Sequence, residues 1–200
     1  MNKSEVKNIL LCGVGGQGAI LTSKILTEGL MRAGYDVKMS EVHGMAQRGG
    51  SVSTQVRYGD KVASPLFGKG QAEICVAFER MEAVRYAGYL KPGGLLVVND
   101  YRLTPMSVAV GAAAYPENAI EAMADVYETI VIPAADISIG IGNARTMNVV
   151  LLGALVKALG LEDLEGADWE EIMRELIPEK LLDINLKAFA EGLKALDTPQ

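Results

Sequence analysis

The stretch that most constrains the fold is Gly13-Val14-Gly15-Gly16-Gln17-Gly18, standing between two very different patterns. Before it, residues 8–13 (NILLCG) form a short apolar run of the kind a strand buried on both faces requires. After it, Ile20, Leu21, Ile25, Leu26, Leu30 and Met31 recur at helical spacing until Gly34, a residue suited to closing a helix. Residues 37–42 read as a second strand. Strand, glycine turn, helix and strand within so short a span predict a βαβ unit. Two readings of the glycines stand side by side. They bring backbone N–H groups to a cofactor or phosphate at a positive helix end, or they allow tight packing of strand on helix.

Beyond residue 50 the pattern changes. Residues 51–58 (SVSTQVRY) alternate, with Val52, Thr54, Val56 and Tyr58 on one face and Ser51, Ser53, Gln55 and Arg57 on the other. That predicts a half-exposed antiparallel strand. Residues 73–78 and 95–99 read as buried strands and 129–132 as a further strand, with helices expected at 79–90 and 116–127. A long, nearly all-round apolar helix is expected at 144–159, and two more at 168–177 and 179–196, separated by Pro178. Asp168 followed by Glu171 has the spacing of a capping box. The expectation is one domain over residues 1–200, a three-layer α/β/α fold with a Rossmann-like mixed sheet and a helical C-terminal end.

Charge and rare residues narrow the functions. Lys plus Arg total 19 against 25 Asp plus Glu, a net charge of −6 in 200 residues, which gives little of the phosphate attraction that nucleic-acid binding needs. His43 is the single histidine, and the two cysteines, Cys12 and Cys75, each sit inside an apolar run. They read as isolated buried thiols in a reducing compartment, with no metal site on this chain. Met39, Met45, Met81, Met106, Met123 and Met147 read as core filler. The start of the chain lacks a secretory pattern, and its longest apolar stretch, 149–156, falls far short of a membrane span. A cytoplasmic protein without membrane or nucleic-acid partners is expected.

Two further segments carry chemistry. Residues 41–51, EVHGMAQRGGS, put Glu41, His43, Gln47, Arg48, Gly49 and Gly50 at the end of the second strand, where open α/β sheets build their sites. Glu41, 23 residues beyond Gly18, could serve a dinucleotide ribose; Arg48 offers a planar fork to a carboxylate or phosphate; His43 reads more readily as a structural hydrogen-bonding residue than as a catalyst. Residues 140–148 open the long helix with Asn143 as its expected cap, followed by Arg145, Thr146 and Asn148. An arginine at a positive helix end is electrostatically disfavoured, which suggests an acidic or phosphate partner or a subunit contact.

With Gly13–Gly18, EVHGMAQRGGSVSTQVRYG (41–59) and IGNARTMNVVLLG (141–153) in view, the chain resembles the gamma-domain subunits of 2-oxoacid:ferredoxin oxidoreductases, most of all the small-subunit (beta) branch of the indolepyruvate enzymes. The resemblance implies oxidative decarboxylation of a 2-oxoacid to an acyl-CoA, with electrons passed to ferredoxin. It implies that thiamine diphosphate, Mg and iron–sulfur clusters sit on a large (alpha) partner subunit, that coenzyme A is the co-substrate, and that this chain carries no cofactor and no catalytic residue. Gly13, Gly15, Gly16, Gly18 and Glu41 are then the candidates for any phosphate or cofactor contact. His43, Gln47, Arg48, Gly49, Gly50, Asn143, Arg145, Thr146 and Asn148 are the candidates for a subunit or substrate-proximal surface. The alternatives are a free-standing NAD(P)- or FAD-binding oxidoreductase and a nucleotide-binding regulatory subunit.

Overall fold

The computed structural model describes residues 5–44 and 48–196. The glycine turn joins β1 (Lys7–Val14) to α1 (Ala19–Arg32). Gly34, at φ 81°, ends this helix: its N–H reaches Met31 O at 2.9 Å and the Tyr35 N–H reaches Leu30 O at 3.1 Å, so two orphan carbonyls are satisfied. There follow β2 (Asp36–His43), β3 (Ser51–Gly59), β4 (Ala72–Ala77), α2 (Arg80–Tyr86) and β5 (Leu90–Asn99). Next come α3 (Met106–Ala109), α4 (Ala119–Ala124), β6 (Glu128–Ile132) and α5 (Ala134–Gly140). A 3₁₀ turn, Ala144–Thr146, leads into α6 (Met147–Ala158), and α7 (Trp169–Leu176) and α8 (Glu179–Ala195) complete the chain.

The six strands lie in the order β2-β3-β1-β4-β5-β6. β1, β4, β5 and β6 are parallel, while β3 runs antiparallel to both β1 and β2. The mixed three-layer sheet is as expected, but the βαβ reading of the first 43 residues needs correcting. β1 and β2 are not neighbours, because β3 inserts between them. β3 is also not half-exposed: Ser53, Thr54, Gln55, Val56 and Tyr58 are buried. Its polar face meets a covering loop instead of water. Gln55 Oε1 accepts the Phe67 N–H at 2.8 Å, and Arg57 donates to Ser64 O at 3.0 Å and to Asn8 Oδ1 at 2.8 Å. Polar residues that hydrogen-bond a covering segment give the same alternation as residues that face solvent.

One face of the sheet packs against α1, α6, α7 and α8, the other against α2 and α4. α6 is buried along nearly its whole length, sandwiched between α1, α5 and α8. Gly153 and Gly192 let α6 and α8 touch backbone to backbone; a Cβ on Gly192 would stand 2.0 Å from Val150 O. Asp168 caps α7 as expected, accepting the Glu171 N–H at 3.0 Å. Other expectations shift. The helix foreseen at 116–127 is shorter, α5 was not foreseen, and Met106, read as core filler, is 76% exposed. The cysteines, read as isolated, are neighbours: Cys12 and Cys75 point to the same face of adjacent strands with their sulfurs 3.7 Å apart. Burial, then the neighbouring thiol, pushes the Cys12 thiol well above its ordinary pKa.

Candidate functional site at the carboxyl edge of the sheet

The Gln17 side chain braces the glycine turn against the next strand. Gln17 Oε1 accepts the Val14 N–H at 2.7 Å, while Gln17 Nε2 donates to Phe78 O, beyond β4, at 3.3 Å. Asn99, at the end of β5, donates to the same carbonyl at 3.1 Å and accepts the Ala134 N–H that starts α5. The carboxyl ends of successive strands are thereby stitched together. Gly13 is needed for packing, since a Cβ there would lie 2.8 Å from Phe78 Cβ; Gly16 and Gly18 are needed for their positive φ of 105° and 87°. The Ala19 and Ile20 N–H groups head α1 ahead of its first bonded pair, Leu21 and Thr22 N–H on Gly18 O at 3.1 and 3.2 Å.

Beside this turn lies a cleft of about 440 Å³. Its lining includes Gly15, Gly16 and Gly18 of the turn, Ile20 of α1, and Glu41 and His43 of β2. Ile20 and Val42, each 50% exposed, give its mouth an apolar character. Glu41 and His43 are exposed. The inserted strand sets Glu41 two strand spacings from β1, roughly 10 Å instead of the roughly 5 Å between neighbouring strands.

The 48–50 loop is tied to the same turn. Gly49 N–H donates to Gly15 O at 3.1 Å and Gly15 N–H to Gly50 O at 2.8 Å, continuing the ladder in which Val14 pairs with Ser51. Gly49 takes φ 75°. Arg48 is exposed and has no side-chain partner among the described residues. Gln47 lies outside the described residues.

The 143–148 segment divides. Asn143 Oδ1 accepts the Arg145 N–H at 3.0 Å and Thr146 Oγ1 donates to Asn143 O at 2.9 Å, so both residues close their own turn. Arg145 is exposed and stands in that 3₁₀ turn, before α6 begins. None of these three lines the cleft. Asn148 is buried and reaches α1: its Nδ2 donates to Gly18 O at 3.3 Å and its own carbonyl accepts Thr22 Oγ1 at 3.0 Å. Sequence reasoning missed Ser51 and Glu82. Ser51 donates from Oγ to the buried Glu82 carboxylate of α2, with Tyr86 Oη 3.3 Å away and Arg85 Nε on Glu82 Oε1 at 3.0 Å. An acid in a short helix gives no sequence signal of burial, because most such acids face water.

Residues 8–195 match the pattern of the pyruvate ferredoxin/flavodoxin oxidoreductase family. The chain belongs to that family. Within it, the chain is 40% identical over 194 residues to the indolepyruvate oxidoreductase subunit IorB of Pyrococcus horikoshii, covering 94% of this chain and 95% of the relative. The gamma subunit of a keto/oxoacid ferredoxin oxidoreductase from Geobacter sulfurreducens superposes with a TM-score of 0.70 at 28% identity, covering 96% and 99% of the two chains. A 2-oxoglutarate:ferredoxin oxidoreductase from Magnetococcus marinus, whose structure holds 2-oxoglutarate, coenzyme A and succinyl-CoA, shares the fold with a TM-score of 0.74 at 21% identity. That match covers 98% of this chain and 32% of the larger one. A mixed sheet with C-terminal helices is therefore the architecture of gamma-type subunits in this oxidoreductase family.

Proposed function

We propose that this chain is the small, gamma-type subunit of an indolepyruvate or arylpyruvate:ferredoxin oxidoreductase, folded as one domain over residues 1–200 and working in the cytoplasm. The observation that carries this is the near full-length similarity to the indolepyruvate oxidoreductase subunit. The large partner subunit carries thiamine diphosphate, Mg and the iron–sulfur clusters, and ferredoxin takes the electrons from the assembled complex. Two features of this chain support that placement for the clusters and the metal. Its two thiols are buried in the sheet, and no cluster of three or more His, Cys, Asp or Glu side chains among the described residues is placed to hold a metal. No helix among the described residues is long and apolar enough to cross a membrane.

The chain supplies shape and positioning. The cleft beside the glycine turn combines backbone N–H groups at a helix start with apolar walls, which suits a phosphate attached to a larger apolar or aromatic body, as in coenzyme A. Arg48, exposed on this chain alone, faces the large subunit in the complex, where its guanidinium meets a phosphate, a substrate carboxylate or a partner acid. From Leu103 to Pro116 the sequence carries no charge, and Met106 and Val110 are 76% and 67% exposed; this surface also suits burial by a partner.

The test is co-expression with a large subunit of the family, followed by purification, iron and thiamine analysis, and assay of arylpyruvate-dependent, coenzyme A-dependent ferredoxin reduction. The isolated chain is expected to be colourless and inactive, and the complex coloured and active. An iron-loaded isolated chain that turns over alone, or an isolated chain that reduces NAD, would sink the assignment.

A further inference from the structure

Glu82 sits on α2, on the opposite side of the sheet from α1, yet it is bonded to Ser51, the residue just before the β3 stretch Val52, Ser53 and Thr54 that lines the cleft. The residue is 4% exposed and its two carboxylate oxygens are both engaged, one by Ser51 Oγ and the other by Arg85 Nε. Glu79, the cap of α2, fixes the helix in place by accepting the Met81 and Glu82 N–H groups and, through its other oxygen, the Leu103 N–H. The carboxylate of Glu82 is therefore a fixed point, and Ser51 is tied to it. Ser51 is the first residue of β3 and pairs with Val14; Gly50 and Gly49 continue that ladder onto Gly15. Glycines have no side chains to hold a loop in place, so the nearest anchored residue decides where the loop lies. That residue is Ser51.

We infer that Glu82, acting through Ser51, is a positioning residue that seats the 48–50 loop on the Gly15 turn, beside the cleft, and so sets the placement of Arg48. This rests, for its effect on catalysis, on the reading that the cleft and Arg48 serve the assembled enzyme.

The experiment has two arms. In the isolated chain, amide hydrogen exchange resolved by NMR follows the Gly15 and Gly49 N–H groups in Ser51→Ala and Glu82→Ala. Exchange at both is expected to quicken by about ten-fold, the effect of losing one charge-assisted hydrogen bond, while amides in the middle of β1 and β4 and the melting temperature stay close to wild type. Ser51→Thr, which keeps the hydroxyl, should restore protection. Ser51→Ala keeps the proposal testable should Glu82→Ala fail to fold. In the complex with the large subunit, Ser51→Ala should raise the KM for coenzyme A or the arylpyruvate by about ten-fold with kcat nearly unchanged. Unchanged exchange at Gly15 and Gly49 in Ser51→Ala overturns the inference, whatever the kinetics. Faster exchange with unaltered kinetics upholds the clamp and counts instead against the functional role assigned to the cleft.

Discussion

Asn148 stands against Gly18, 130 residues earlier in the chain, with its amide nitrogen on the Gly18 carbonyl at 3.3 Å. The contact joins the first turn of α6 to the start of α1, and it leaves no space at residue 18. A Cβ on Gly18 would lie 2.7 Å from Asn148 Nδ2, on a backbone whose φ of 87° already disfavours a side chain. Gly18→Ala is expected to lose about 1–3 kcal/mol, from left-handed strain and overlap together. In a double-mutant cycle, Asn148→Ala should recover the overlap part and leave the strain. Additive losses in chemical denaturation would show that the two residues do not press on each other.

The α6–α8 contact is the least forgiving place in the chain. Leu152 is fully buried, and Leu152→Asp puts an unpaired carboxylate beside the sheet, with a loss of several kcal/mol. Gly192→Ala forces a methyl onto Val150 O and should lower stability by about 1–3 kcal/mol or more. Melting within a degree of wild type for either variant would contradict this packing.

Cys12 and Cys75 are both fully buried, and the Cys12 thiol is held protonated by burial. Under native, reducing-agent-free conditions neither should react rapidly with an aromatic disulfide reagent at pH 8, and both should react at once in denaturant. A fast-reacting thiol in the folded chain would mean that the face between β1, β4 and α2 opens.

Tyr58 is 1% exposed and its hydroxyl has no hydrogen-bond partner among the described residues. Burial, with Tyr35 and Glu73 nearby, pushes the phenol well above its ordinary pKa. The folded chain therefore keeps a proton that the unfolded chain loses above about pH 10, so stability falls as pH rises beyond that point. Tyr58→Phe deletes an unsatisfied group and should be neutral or stabilising at pH 7, by up to about 1 kcal/mol, and should flatten the alkaline limb of the stability profile. A clear loss at pH 7 would reveal a partner for the hydroxyl.

Arg48→Ala should leave the melting temperature of the isolated chain unchanged, because Arg48 is exposed there. In the complex it should weaken association, or raise the KM for coenzyme A or the arylpyruvate, by the equivalent of about 2–5 kcal/mol, as for a charged contact buried by the partner. Titration calorimetry and steady-state kinetics both matching wild type would make the loop a bystander.

Whatever depended on neighbouring residues was legible without a structure. The buried run before Gly13, the helical spacing after Gly18, the Gly34 stop and the Asp168 cap are each decided within one or two turns of chain, by side-chain period and by the backbone freedom of glycine. The motifs that carry the family resemblance are equally local. What only the tertiary structure decided is which segments meet. The same strand pattern at 36–43 allowed pairing with β1 or with β3, and the insertion of β3 set Glu41 two strands from β1. The alternation at 51–58 could not distinguish water from a covering loop. The proximity of Cys12 to Cys75, the Asn148 contact and the Glu82 anchor each join residues 31 to 130 positions apart. Hydrophobic period encodes how much of a residue is buried and on which face, whereas the identity of its neighbour follows from the packing of whole surfaces, which no short window of sequence contains.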